Sequence, residues 1–312
     1  MYADPRIGRY LPSKNDKNYS SRNNGLLIFS AFMYGSVHMR RQVFCSLSGM
    51  WRQTVTPSHP TRVPFPAGSP YVDRLPSPGQ RNNRLLAALP AEIYARLTPA
   101  LELVHLEAGC VLYESGEQLQ HIYFPTDSIV SLRCELQEGT GCEIAVTGNE
   151  GMIGIALLMG GQTVTNRAVV STAGFALRVK AAALLREFEQ DGWLQHYLLR
   201  YLQAQLTQTA QTTVCNRHHS LDQQFCRWLL LRLDRRSSNE LLVTQEQVAA
   251  MLGMRREGVT EAAGKLQAAG LIHNCRGRIT VLDRQGLEAL VCECYAVVNR
   301  EYDRLLQRLT AN

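Results

Sequence analysis

The stretch between Leu242 and Asp283 constrains the fold of this chain more than any other. Thr244-Gln-Glu-Gln247 has the form of a capping box, in which the Thr244 hydroxyl accepts from the third helical amide and Gln247 reaches back. Val248, Met251 and Leu252 supply a short apolar face, and Gly253 can stop that helix by taking a positive φ. A second helix is expected almost at once, from Arg255 to Leu266. Two short helices joined by a glycine-containing turn form a helix-turn-helix. Past Gly270, Leu271–Asn274 and Arg278–Leu282 are expected to be two strands turning at Arg276-Gly277, a wing beside the helices.

At about 100° per residue, Val259, Ala262 and Leu266 fall on one side of the second helix. Arg256, Glu257, Thr260, Glu261 and Gly264 fall on the other. A polar face with its basic group at the N-terminal end suits a helix that meets base edges in a major groove. Arg can bond guanine through two hydrogen bonds, Glu can accept from cytosine, and a Thr methyl can touch thymine. Arg256, Glu257 and Thr260 are therefore the expected base readers, and Thr244, Gln245, Arg255, Arg276 and Arg278 the expected phosphate contacts. An ordinary helical pair with a hairpin is the plainer alternative. The cap, glycine turn, Arg-Arg start and wing in strict order favour DNA.

Net charge does not carry that argument. The chain of 312 residues has a formal charge of +6, but residues 1–80 hold ten basic residues against three acids, so the remainder nets −1. Those first 80 residues also contain nine of the twelve prolines and no sustained period, so 1–79 is expected to be a disordered, basic extension. The nine cysteines form no tight framework, and the apolar run from Leu26 to Met33 is too short to span a bilayer. A cytoplasmic protein without membrane attachment is expected.

Residues 81–98 have helical spacing. From Leu101 to Val179, short apolar stretches alternate with glycine and proline turns, indicating an all-β roll of about eight strands. Leu184 to Arg236 then contains no proline and a single glycine, and reads as a long helical tract. Leu199, Leu202, Leu206, Thr209 and Thr213 follow a 3-4-3-4 spacing, a seam for one partner helix. The expected divisions are the extension 1–79, the roll 80–183, a dimerisation helix 184–216, the winged helix-turn-helix 217–283 and a C-terminal helix 284–312. The fold class is α+β.

This order of parts resembles the Crp/Fnr family of bacterial transcription regulators. The likeness covers about residues 80–283 and is most specific in MLGMRREGVTEAAGKLQAAGLI, which resembles that family's turn and recognition helix. RGRITVLDRQGLE resembles its wing, and Gly148-Asn-Glu-Gly-Met-Ile-Gly154 its glycine-bearing approach to an effector pocket. The resemblance implies a homodimer on a near-palindromic operator, with RNA polymerase as a partner and an unknown small-molecule effector in the roll. It also implies that Gly154, Arg167, Thr209 and Thr213 border that pocket. The departures weigh against cyclic AMP: family members that bind it carry Gly-Glu and Arg-Ser/Thr, where this chain has Gly154-Ile155 and Arg167-Ala168.

An iron–sulfur cluster of the family's kind needs clustered N-terminal cysteines, and Cys45 stands alone there. Cys292 and Cys294, on an intact helix, would point about 200° apart, and His218-His219 meet a similar difficulty, so no metal site is expected. No nucleophilic triad, phosphate loop or His-Glu-x-x-His spacing suggests an enzyme. A ligand sensor acting through protein contacts is the alternative to a DNA-binding regulator.

Overall fold

The computed structural model describes residues 83–236 and 238–306, all within the unit Pro64–Asn312. The expectations for residues 1–79 and for Cys45 lie outside the described residues. Asn83 caps α1 (Arg84–Ala87) through its side-chain oxygen, while its amide donates to the carbonyls of Pro125 and Gly151 at 2.9 and 2.8 Å. Pro90, which has no N–H to give a helix interior, divides the helix expected over 81–98 into α1 and α2 (Ala91–Leu97).

Seven strands follow, one fewer than the roughly eight expected. They are β1 (Glu102–Leu106), β2 (Val111–Tyr113), β3 (His121–Pro125), β4 (Ile129–Glu135), β5 (Gly141–Thr147), β6 (Arg167–Thr172) and β7 (Gly174–Lys180). They form two antiparallel sheets, ordered β1-β7-β3 and β2-β6-β4-β5. Apolar side chains such as Leu106, Ile122, Phe124, Ile129, Val170 and Leu177 are buried and form the core of this roll.

The proline-free tract is three helices: α3 (Ala181–Gln190), α4 (Gly192–His218) and α5 (Leu221–Leu233). Asp191 makes the first break, since its carboxylate accepts from the Leu194 amide at 3.1 Å and caps α4. Ser220 makes the second with a full capping box to Gln223. The long helix therefore begins at Gly192, not at residue 184. Gln208 of α4 bonds both the N–H and the C=O of Val146 in β5, at 3.2 and 3.1 Å, which fastens the helix to the roll.

Beyond α5 come β8 (Glu240–Leu242), α6 (Gln245–Leu252), α7 (Arg256–Ala268), β9 (Ile272–Cys275) and β10 (Arg278–Val281). The three strands form one antiparallel sheet ordered β8-β10-β9, so the wing has a strand that sequence reasoning did not anticipate. The C-terminal helix expected over 284–312 is two helices, α8 (Arg284–Leu290) and α9 (Glu293–Leu306). Cys292 precedes α9, so it does not share an intact helix with Cys294, and the geometric objection to their meeting falls. The α9 helix runs back along α4. Tyr302 donates to Gln205 at 2.8 Å and accepts from Gln208 at 3.2 Å, and Gln203 donates to Glu301 at 3.3 Å. No helix among the described residues is long and apolar enough to cross a membrane.

Candidate nucleic-acid interface

Local chemistry builds the two helices as the sequence predicts. The Thr244 hydroxyl accepts from the Gln247 amide at 3.2 Å, and Gln247 accepts from the Thr244 amide at 2.8 Å. Gly253 ends α6 at φ 66°, a left-handed conformation that costs a glycine little. Arg255 is the N-cap of α7 rather than its first residue, and gives no side-chain cap. Val259, Ala262, Ala263 and Leu266 are buried under α7. Arg256, Glu257 and Thr260 are exposed.

The Thr260 hydroxyl donates to the Gln245 side chain at 2.7 Å and lies 3.0 Å from the Arg256 carbonyl. An expected base reader and an expected phosphate contact thus brace one another across the two helices. The turn Arg276-Gly277 has positive φ at both residues, 39° and 79°, as a two-residue hairpin with the right-handed twist of its strands requires. Arg276 is exposed at that tip. Arg278 is exposed too, but pairs with Glu240 of β8 at 3.4 Å. Among the described residues, Arg255, Arg256 and Arg276 have no ion-pair partner.

Three comparisons with known proteins bear on this arrangement. A family model described as a cyclic nucleotide-binding domain matches residues 103–191, and one described as a Crp-like helix-turn-helix domain matches residues 223–290. Together they account for just over half of the chain. The chain belongs to the Crp/Fnr family. Solved structures share its fold. A Crp/Fnr-family regulator from Eubacterium rectale is 18% identical with a TM-score of 0.54, over 67% of this chain and 98% of that one. FixK2 from Bradyrhizobium japonicum is 17% identical at 0.53, over 62% and 98%. A CRP-family regulator from Thermus thermophilus is 20% identical at 0.52, over 60% and 95%. No curated protein matches the sequence.

In this Crp/Fnr chain the residues expected around an effector pocket are occupied otherwise. Arg167 donates to Glu135 at 3.0 and 3.2 Å and to Glu114 at 3.0 Å, so two carboxylates already hold its guanidinium. Thr209 and Thr213 turn their hydroxyls back to the carbonyls of Gln205 and Thr209, at 3.2 and 3.1 Å. Gly154 takes φ 104° and precedes a 3-10 turn, Ile155–Met159. The glycines before it make room for side chains from α4 and from just beyond α5. A Cβ on Gly148 would stand 2.7 Å from the Arg235 side chain, and one on Gly151 would collide with the Tyr201 hydroxyl. That hydroxyl bonds both the N–H and the C=O of Met152, at 3.0 and 3.1 Å. One cavity, with about 20 Å³ of room for a water, lies between β5, α4 and α5 and is lined by Glu143, Val146, Gln208, Thr212 and Arg227.

The exposed positions of α4 differ from those of the predicted seam. Leu199 and Leu206 are 42% and 56% exposed, as a partner-facing stripe should be in a single chain. Leu202 is turned in and only 7% exposed. The outward positions are Leu199, Gln203, Leu206, Ala210 and Thr213, a 4-3-4-3 spacing.

Sequence reasoning missed two buried ion pairs that join α5 and its end to the roll. Arg232 meets Glu143 of β5 at 2.6 and 3.2 Å and stacks over Trp228 at 3.7 Å. Burial lowers the Arg232 pKa, opposed by the Glu143 charge. Arg235 meets Glu150 at 2.7 Å; burial is the largest influence and pulls its pKa down, but the charges of Glu150, Tyr302 and Asp234 and the hydrogen bond to Glu150 together raise it. The available signal was an arginine set among leucines in Trp228-Leu-Leu-Leu-Arg-Leu233.

Proposed function

We propose that this Crp/Fnr-type regulator is a homodimer that reads a near-palindromic DNA site, binding rather than catalysing, in the cytoplasm. In this reading Arg256, Glu257 and Thr260 read bases. Thr244, Gln245, Arg255, Arg276 and Arg278 hold the backbone, and RNA polymerase is the protein partner. The observation that carries it is the N-terminal end of α7: Arg256 and Glu257 stand exposed there, and no carboxylate among the described residues engages Arg256. Leu199 and Leu206 supply the apolar part of the dimer seam. An effector acts through the roll, but not as cyclic AMP does in its binders, because Ile155 offers no acceptor to a ribose and Arg167 is held by Glu114 and Glu135.

Selection of sites from random DNA, followed by titration of variants at two salt concentrations, tests this. Arg256→Ala should cost about 1–3 kcal/mol per half-site and relax preference at one base pair. Arg276→Ala should weaken all sequences alike and flatten the salt dependence. Equal loss of specific and scrambled binding in Arg256→Ala removes the base-reading assignment.

A further inference from the structure

The end of α4 and the start of α9 bring four metal-binding side chains to one point. Cys215 lies in the last turn of α4, and His219 is its C-cap. Cys292 immediately precedes α9, and Cys294 lies in its first turn. The Cys215 and Cys292 sulfurs are 3.6 Å apart, as are the Cys294 sulfur and His219 Nδ1. All four ligand atoms lie within 4.8 Å of one another.

The two spacings of 3.6 Å are those of one chemical object. With Zn–S near 2.3 Å and Zn–N near 2.0–2.1 Å, a tetrahedron has S···S edges of about 3.7–3.8 Å and S···N edges of about 3.5–3.6 Å. A disulfide needs about 2.05 Å between sulfurs, and a polynuclear cluster holds its thiolates on several irons rather than around one centre. The three cysteines are also set apart from the apolar core. They form a cluster of their own, at 0%, 3% and 1% exposure for Cys215, Cys292 and Cys294.

The outer contacts fit as well. His219 would ligate through Nδ1, and its Nε2 faces the Glu293 carboxylate at 3.3 Å, the kind of partner that fixes the ring and its tautomer. Gln224 donates to the His219 carbonyl at 2.9 Å and holds the cap in place. Three thiolates and an imidazole around a divalent ion leave one net negative charge. The buried Arg227, whose Nη2 donates to Thr212 at 2.7 Å one turn before Cys215, supplies the opposite sign.

We propose that Cys215, His219, Cys292 and Cys294 bind one zinc ion, tying the end of α4 to the start of α9 next to the Ser220 cap that opens the DNA-binding domain. Four protein ligands leave no open coordination position, so the site is structural rather than catalytic. Soft thiolates and an imidazole in a tetrahedral set select zinc over magnesium or calcium.

The test uses the full chain, purified without chelator. Elemental analysis should find about one zinc per chain, and cobalt exchanged into the site should give the sulfur-to-cobalt charge-transfer and intense visible bands of a tetrahedral thiolate site. Cys292→Ser and Cys294→Ser should lose the metal, while Cys275→Ser, at an exposed cysteine of the wing, should keep it. Should the ligand variants fail to fold, Glu293→Gln keeps all four ligands and should weaken zinc affinity by about 10–100-fold. Wild-type protein without zinc and without cobalt bands, a Cys215–Cys292 disulfide, iron in place of zinc, or undiminished zinc in Cys292→Ser would each overturn the proposal.

Discussion

Replacing Glu143 by Gln removes a charge from the contact between β5 and α5 while keeping the shape of the side chain. Arg232 is 3% exposed and Glu143 9%, and their two hydrogen bonds of 2.6 and 3.2 Å form a bidentate pair. Removing one member of a buried pair strands the other charge, which costs about 3–5 kcal/mol. Gln retains one acceptor oxygen for the guanidinium, and Arg232 still has weaker contacts with Ser131 and Met251 at 3.4 and 3.3 Å, so the low end applies. Each kcal/mol moves the midpoint of a chain this size by roughly 2–4 °C, so Glu143→Gln should lower Tm by about 6–12 °C. Denaturation followed by tryptophan emission and by circular dichroism reads this, because Trp228 lies directly beneath the Arg232 guanidinium. Replacing both partners together by Met should recover most of the loss, since an apolar pair of similar volume is close to neutral. A midpoint within about 2 °C of wild type in Glu143→Gln, or no recovery in the double variant, would refute the reasoning.

Two further outcomes follow from features of α4. Leu206→Glu puts a charge on the exposed stripe without touching the core, and should convert the protein to monomers in sedimentation while leaving its helical signal intact. Gly151→Ala drives a methyl group into the Tyr201 hydroxyl, and with it the bonds to Met152; it should cost about 1–3 kcal/mol in urea denaturation, whereas Gly264→Ala, where a Cβ meets nothing within 4 Å, should not destabilise.

What was legible in the sequence was what neighbouring residues settle among themselves. The Thr244–Gln247 box and the Gly253 stop each involve residues a few positions apart, and both stand as read. So does the buried side of α7, while the roll has seven strands where about eight were expected. What failed was pairing across the chain. Arg167 finds Glu114 and Glu135 53 and 32 residues away, and Arg232 finds Glu143 at 89. No local period carries that information. The α4 seam shows a subtler limit: Leu199, Leu206 and Thr213 fit a 3-4 and a 4-3 spacing equally well. Only the packing of α4 against the roll and α9 decides that Leu202 points inward. Cys215 and Cys292, 77 residues apart, meet because the chain breaks at Val291–Cys292, where neither glycine nor proline announces a helix end.

The return of α9 along α4 has a mechanical consequence. A domain joined to its neighbour by a single strand of chain can swing in any direction its hinge allows. Here the polypeptide leaves α4 at His219, builds the winged unit, and comes back to the same helix through α9, closing a loop around the junction. A unit tethered at both ends, and held to the roll by the Arg232–Glu143 and Arg235–Glu150 pairs besides, has little freedom to swing. A change in the roll would then be passed to α7 by the winged unit as a whole rather than as a loosening of one flexible link.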